Sequence, residues 1–188
     1  MIDVVDLSIE IIRLDIFIGF GVYSLLYVLI TLFKKDIPIL ETIDHNASRF
    51  IVFSGIVFSA LNILWIILAI ATLPDYTINQ REYWWAPWIQ IALWVFITQL
   101  FRIPKIRKAK MLRIVFALLL IVSYEMFVII VTSIHRDYVP VSWFMGSRSA
   151  FDWIAPYGIV VGLLTKVVFF CLLSTLYTFI ADRVKLRI

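Results

Sequence analysis

Charged residues are scarce in this chain: only 16% of its 188 residues are Asp, Glu, Lys or Arg, whereas 63% are hydrophobic. An ordinary soluble domain has a smaller apolar share than this. The chain also has one cysteine, Cys171, and two histidines. A lone cysteine excludes an iron–sulfur cluster or a covalently attached haem held by this chain, because both need grouped cysteines. Phosphate-binding loop, nucleophile-elbow and zinc motifs are missing. We therefore expect no catalytic residue, no metal site and no cofactor bound by this chain alone.

Long apolar stretches make up most of what is present. A membrane-spanning helix needs roughly 20 mostly apolar residues. Five stretches qualify, at about 16–33, 51–72, 85–101, 114–134 and 155–181. They are continuously apolar rather than alternating, which favours helices over barrel strands. The pattern predicts an all-α integral membrane protein with about five transmembrane helices and a single membrane domain covering residues 1–188.

A mostly acidic segment precedes the first apolar stretch. Its charged residues are Asp3, Asp6, Glu10, Arg13 and Asp15. A cleavable signal peptide would begin with a basic region, so we expect the first span to be retained. The charges recur at helical spacing among isoleucines and valines. This pattern is typical of a short amphipathic helix on the membrane surface, although a polar lead-in to the first span would give the same sequence.

The distribution of basic residues predicts the orientation. Six lie between the third and fourth spans and three follow the fifth: Arg102, Lys105, Arg107, Lys108, Lys110, Arg113, Arg183, Lys185 and Arg187. Basic loops stay in the cytoplasm. The carboxy terminus is therefore expected inside and the amino terminus outside, with Lys34, Lys35 and Arg49 also inside. The net charge of +4 then reflects topology rather than nucleic-acid binding.

The two histidines fall on opposite faces of the membrane in this topology. His45 belongs to the first cytoplasmic loop, and His135 lies at the outer end of the fourth span. A haem held by both histidines of one chain is therefore excluded.

Aromatic and polar residues mark two further features. Tyr83, Trp84, Trp85 and Trp88 open the third span, and more aromatic residues lie before the fifth. They fit an interfacial aromatic belt, a partner surface, or the rim of a pocket for a lipid-soluble substrate.

The loop from 135 to 153 mixes charged and aromatic residues, so we predict a docking surface that includes His135, Arg136, Asp137, Tyr138 and Trp143. Asn62 and Gln99 lie within spans, where such side chains usually hydrogen-bond to neighbouring helices.

Two charges fall near the middle of the bilayer. Glu125 and Lys166 each lie about ten residues from the outer end of their span, or roughly 15 Å at 1.5 Å per residue. Intramembrane charges are costly, and they normally face the bundle interior with a partner or a function. We predict that Glu125 and Lys166 face each other between the fourth and fifth spans. The pair could only hold the helices together, or it could form part of a proton pathway.

A family resemblance rests on three segments. The run from Glu125 to Tyr138, followed by Pro140, Ser142 and Trp143, resembles the polysulfide-reductase (NrfD-like) membrane subunits, especially the quinol-oxidising subunits of bacterial alternative complex III. Tyr83-Trp84-Trp85-Ala86 and Gln99-Leu100 recur at the matching distance upstream. The resemblance covers the second half of such a subunit, that is, its second four-helix bundle plus the last helix. The sequence departs from the family in lacking the first bundle and in having Met126 where the family has arginine.

The resemblance implies a membrane subunit of a quinone-linked respiratory electron-transfer complex in the bacterial inner membrane. We expect a non-catalytic subunit that contributes helix packing, an outer docking loop and a proton-conducting or quinone-facing surface. Haem and iron–sulfur clusters would belong to extracytoplasmic and membrane partner subunits, a quinone could bind at an interface, and a separate chain could supply the missing bundle. Two alternatives stay open: a small proton or solute transporter or channel acting as an oligomer, and a structural or assembly subunit.

Overall fold

The structure, a computed structural model, describes residues 2–33, 38–72, 86–122 and 159–185. Almost all of these residues are helical, and none of them forms a strand. The helices are α1 (Ile2–Ile11), α2 (Ile18–Phe33), α3 (Pro38–Thr72), α4 (Ala86–Leu100), α5 (Pro104–Lys108), α6 (Lys110–Ile121) and α7 (Ile159–Lys185). A π-helical turn, Ile12–Phe17, joins α1 to α2. The all-α prediction is confirmed for this part of the chain.

Three helices are long and apolar enough to cross a membrane: Ile2–Phe33, Pro38–Thr72 and Val160–Arg183. Trp88–Leu100 is a shorter apolar helix. Multi-pass membrane character is therefore supported by helix length and composition. The count of five spans and the orientation stay predictions, because most of the predicted fourth span and the segment that follows it lie outside the described residues.

The amino-terminal segment continues directly into the first apolar stretch, which fits the polar lead-in rather than a separate surface helix. Helix runs without interruption from Ile2 to Phe33, and α1 packs against α3. The segment is therefore helical, but it belongs to the bundle rather than forming a separate amphipathic element. Val5 and Ile12 are buried, Glu10 and Arg13 are half-buried, and Val4 is exposed.

Helix α2 lies at the centre of the bundle, in contact with α6 and α7, while α3 packs on α4. Glycines allow this close approach. A Cβ added at Gly19 would lie 2.6 Å from the Lys166 carbonyl oxygen of α7, and one at Gly21 would lie 2.6 Å from Cγ1 of Ile121 in α6. The two glycines therefore let α2 contact a helix on each side at backbone distance.

Aromatic rings fill the space between the helices. Phe17, Phe20, Phe58 and Phe170 are almost completely buried, and the Phe20 ring lies 5.4 Å from that of Phe170. Large apolar side chains also cover the outside of the bundle. On α3 and α7 these include Ile63, Ile67, Ile70, Leu172 and Leu176, each more than half exposed. Such a surface suits lipid acyl chains, whereas in water it would be an aggregation site.

Candidate functional site: two buried ion pairs

The first candidate site is a buried ion pair between α7 and the π-helical turn. Lys166 Nζ donates to Oδ1 of Asp15 at 2.9 Å and to the carbonyl oxygen of Leu14 at 2.8 Å. The Asp15 side chain has no exposed surface, and the Lys166 side chain is 5% exposed. Two adjacent residues of one turn therefore provide the lysine with a carboxylate and a carbonyl oxygen.

Local sequence explains why the pair forms here. The π-helical turn Ile12–Phe17 is wider than an α-helical turn, and π-turns recur at functional sites because they shift the backbone hydrogen-bonding pattern. In this turn the Leu14 carbonyl accepts from a side chain of another helix. Gly19, about one turn further along, has no side chain, so the α7 backbone at Lys166 can approach closely. The turn and the glycine together bring the lysine within reach of Asp15.

Asp15 is the site residue that the sequence pattern failed to single out. It was grouped with the charges that precede the first span, yet it is enclosed by the bundle. The sequence around Asp15 does indicate burial. Leu14 and Ile16 flank this residue directly, and three more apolar residues lie within one turn: Ile11, Ile12 and Phe17. A carboxylate with so many apolar neighbours, and only Arg13 as a charged residue within one turn, is unlike the two-sided pattern of a surface helix.

The predicted contact between Glu125 and Lys166 stays a prediction, because Glu125 lies outside the described residues. Lys166 itself is buried, as predicted from its position within an apolar stretch. The structure adds Asp15 as a partner of this lysine.

The second candidate site joins α3 and α6. The guanidinium of Arg113 binds the Asp44 carboxylate in a bidentate manner, with one N–H···O distance of 2.9 Å between Nη1 and Oδ2, and a second contact between Nη2 and Oδ1. Arg113 is 1% exposed and Asp44 4%. The Tyr27 ring lies 4.1 Å from the guanidinium carbon, a cation–π distance. Arg113 was predicted to be a loop charge that fixes topology, but it is one of the most buried side chains.

The two pairs lie at different depths. Asp15 precedes Tyr27 by twelve residues on one continuous helix, which corresponds to about 18 Å along its axis. Phe20 and Phe170 occupy the intervening level, and both are fully buried. The Tyr23 hydroxyl and Ser24 Oγ, nearer to Arg113, are buried without a hydrogen-bond partner among the described residues. Aromatic side chains therefore separate two polar sites inside one bundle.

The other predicted site residues are placed as follows. Trp88 lies in the first turn of α4 and is half-buried. The remaining residues of the predicted aromatic belt and of the predicted docking loop lie outside the described residues: Tyr83, Trp84, Trp85, His135, Arg136, Asp137, Tyr138 and Trp143. Their predicted roles as an interfacial belt and as a docking surface therefore stay predictions.

The polar residues within spans behave in two ways. Gln99 Nε2 donates to the Val52 carbonyl oxygen at 3.1 Å and so links α4 to α3, as predicted. Asn62 instead donates to the Phe58 carbonyl of its own helix at 2.8 Å. His45 was assigned to a loop, but it lies within α3, where its Nδ1 contacts Arg107 at 2.9 Å.

Within residues 2–33, 38–72, 86–122 and 159–185, no three His, Cys, Asp or Glu side chains come together as a metal site. Each of the two ion pairs holds a carboxylate and a cation away from water, so a change in the charge of one member strongly affects the other.

Comparison with known proteins gives no significant match to a family model, to a curated protein or to a solved structure. The resemblance to the polysulfide-reductase family stays a prediction based on the residues named above.

Proposed function

We propose that this chain is a membrane subunit of a quinone-linked electron-transfer complex and that its Asp15–Lys166 pair exchanges a proton during turnover. The observation that carries the proton role is the burial of a carboxylate and an ammonium group between two long apolar helices. Ionisable groups inside the membrane are rare, and they mark ion pathways and proton relays more often than ordinary packing positions.

The pair is suited to proton exchange because its two charges depend on each other. Lys166 Nζ and Asp15 Oδ1 lie 2.9 Å apart, and neither side chain is more than 5% exposed. Little water is therefore present to screen the two charges, so a proton gained or lost by one group changes the electrostatic environment of the other. A negative charge that forms nearby during quinone chemistry would act on both groups.

The separation of the pairs defines the kind of proton transfer that we propose. Phe20 and Phe170 fill the level between Asp15 and Arg113. We therefore propose a local proton acceptor at Asp15–Lys166 and a packing role for Arg113–Asp44, rather than a continuous proton wire. The redox centres and the quinone site would be provided by partner subunits.

Co-purification tests the assignment to a redox complex. The tagged full-length chain is solubilised from its native membrane in a mild detergent and separated by size-exclusion chromatography. We expect haem absorbance and iron to elute with the chain at a mass well above 21.9 kDa. A colourless peak that contains only this chain would contradict the proposal.

A second measurement separates the proposed function from the transporter alternative. The purified chain alone is reconstituted in liposomes that carry a pH-sensitive dye. We expect no proton flux above that of protein-free liposomes, since the acceptor acts only with its redox partners. Flux that disappears in the Lys166→Met variant would favour an oligomeric transporter or channel.

A further inference from the structure

A cavity of about 360 Å³ lies beside the amino-terminal half of α3, where α3, α7 and the segment around α5 meet. Three arginines line it: Arg49 of α3, Arg102 after α4 and Arg107 of α5. No acidic side chain lines it among the described residues. Three cations in one cavity repel one another unless an anion lies between them, so the lining indicates an anionic ligand.

His45 also lines the cavity and contacts one of its three arginines. Arg107 Nη1 and His45 Nδ1 are 2.9 Å apart. Arginine can only donate, so Nδ1 accepts and the neutral imidazole carries its proton on Nε2. His45 therefore holds the Arg107 guanidinium in place and offers a further N–H donor. A planar guanidinium fixed in this way suits the oxygens of a phosphate group.

Ser48 gives a second, independent indication of a ligand. This serine lines the same cavity and is only 1% exposed, and its Oγ has no hydrogen-bond partner among the described residues. A buried hydroxyl without a hydrogen-bond partner is unfavourable in free energy, because its hydrogen bonds to water are lost on folding and are not replaced. An anionic oxygen in the cavity would accept a hydrogen bond from this hydroxyl.

The other end of the cavity is apolar. Phe53 and Ile56 line it from α3, and they are 44% and 47% exposed. From Arg49 to Ile56 the helix rises about 10 Å, which is comparable with the step from the headgroup layer into the acyl region. A ligand with an anionic head and an apolar tail fits both ends.

We propose that this cavity binds a phosphate group, with the phosphodiester of an anionic phospholipid as its source. Arg49, Arg102, Arg107 and Ser48 contact the phosphate oxygens, and an acyl chain follows Phe53 and Ile56. Basic pockets between transmembrane helices are known to hold anionic lipid headgroups. The site is independent of the proposed redox function, since it uses neither buried ion pair.

Binding is measured on the full-length chain in detergent, by native mass spectrometry and by the shift in thermal unfolding temperature. The probes are phosphatidylglycerol, phosphatidylcholine and inorganic phosphate. We expect phosphatidylglycerol to bind at least tenfold more tightly than the zwitterionic lipid. Saturation by inorganic phosphate at comparable concentration would support the phosphate site and identify free phosphate as the source. Equal binding of both lipids, without an effect of phosphate, would overturn the proposal.

Variants locate the site. Arg49→Gln and Arg107→Gln should each weaken phosphatidylglycerol binding about tenfold, the effect of losing one charge-assisted hydrogen bond. Lys105→Gln is the matched control: it removes the same charge from the same short helix, but Lys105 is exposed and does not line the cavity. An equal loss in the control would show that only net charge matters and would overturn the site.

Ser48→Ala keeps the test valid if an arginine variant fails to fold. Its Oγ bonds to no described residue, so the variant should fold like the wild type. We expect weaker phosphatidylglycerol binding with an unchanged unfolding temperature in the absence of lipid. Unchanged lipid binding would contradict the proposed contact with the phosphate.

Discussion

Replacing Lys166 with methionine removes the cation from a site where Asp15 has no access to water. Methionine fills nearly the same volume, so the change acts mainly on charge and hydrogen bonding. The variant leaves a buried carboxylate without the ammonium group at 2.9 Å, and the Leu14 carbonyl loses its side-chain donor at 2.8 Å. Breaking a buried pair in this way costs about 3–5 kcal/mol. The ratio of folded to unfolded protein should therefore fall by a factor on the order of 10² to 10⁴.

A double-mutant cycle separates the pair from the effect of each residue alone. Asp15→Asn combined with Lys166→Met removes both charges, so the double variant should be more stable than Lys166→Met alone. The assay is equilibrium unfolding in mixed micelles followed by circular dichroism. Lys105→Met serves as control; this lysine is exposed, and its loss should change the free energy of unfolding by less than about 0.5 kcal/mol.

Two results would refute the reasoning. If the effects of Asp15→Asn and Lys166→Met simply add, the two side chains do not interact, because contacting residues normally couple by about 0.5–3 kcal/mol. If Glu125→Gln relieves the Lys166→Met defect and Asp15→Asn does not, Glu125 is the principal countercharge of the lysine. That second result would confirm the sequence-based pairing of Glu125 with Lys166 instead.

Three further predictions concern packing and docking. Arg113→Met leaves the buried Asp44 carboxylate without its cation and should lower the free energy of unfolding by about 3–5 kcal/mol in the same assay. Adding Asp44→Asn should restore part of this loss. Full additivity of the two effects would contradict an interaction between the two side chains. Gly21→Leu should destabilise by about 1–3 kcal/mol, because a Cβ at this position would lie 2.6 Å from Ile121 Cγ1. The control is Gly162→Leu, where a Cβ would meet no atom of another helix within 4 Å among the described residues, so the substitution should not destabilise the protein. Protease added from the outer side should cut the loop 135–153 more slowly in the native complex than in the isolated chain, and equal rates would contradict a docking role.

The helical membrane character could be predicted from sequence because it depends on the total hydropathy of a long stretch of residues rather than on any single residue. About twenty consecutive apolar residues are needed for a span, and a few polar residues do not change that total. The interhelical role of Gln99 was predictable for a related reason: an amide within an apolar helix has few partners other than another helix. Asn62 shows the limit of this reasoning, since the carbonyl of Phe58 one turn earlier is an equally good acceptor.

The partners of the charged residues could not be predicted from sequence. Asp15 and Arg113 both lie at the ends of apolar stretches. Hydropathy averaged over many residues falls at such positions, so charged residues there are assigned to loops. Their burial depends on which helices pack together, and therefore on Gly19 and Gly21, which let α7 and α6 approach α2. The π-helical turn also depends on this packing, because it presents Leu14 and Asp15 to Lys166 from another helix. Tertiary contacts far apart in sequence determine which charges meet.

Proton release during quinol oxidation tests the proposed function most directly. The native complex is purified from cells that carry either the wild-type chain or the Asp15→Asn, Lys166→Met variant, which lacks both charges and is expected to assemble. Protons exchanged per electron transferred are followed with a pH indicator during single-turnover oxidation. We predict that the variant complex retains its redox centres but releases more protons per electron to the medium in a single turnover, because the pair no longer accepts one. An unchanged proton-to-electron ratio in a fully assembled variant complex would contradict the proposed role of the Asp15–Lys166 pair.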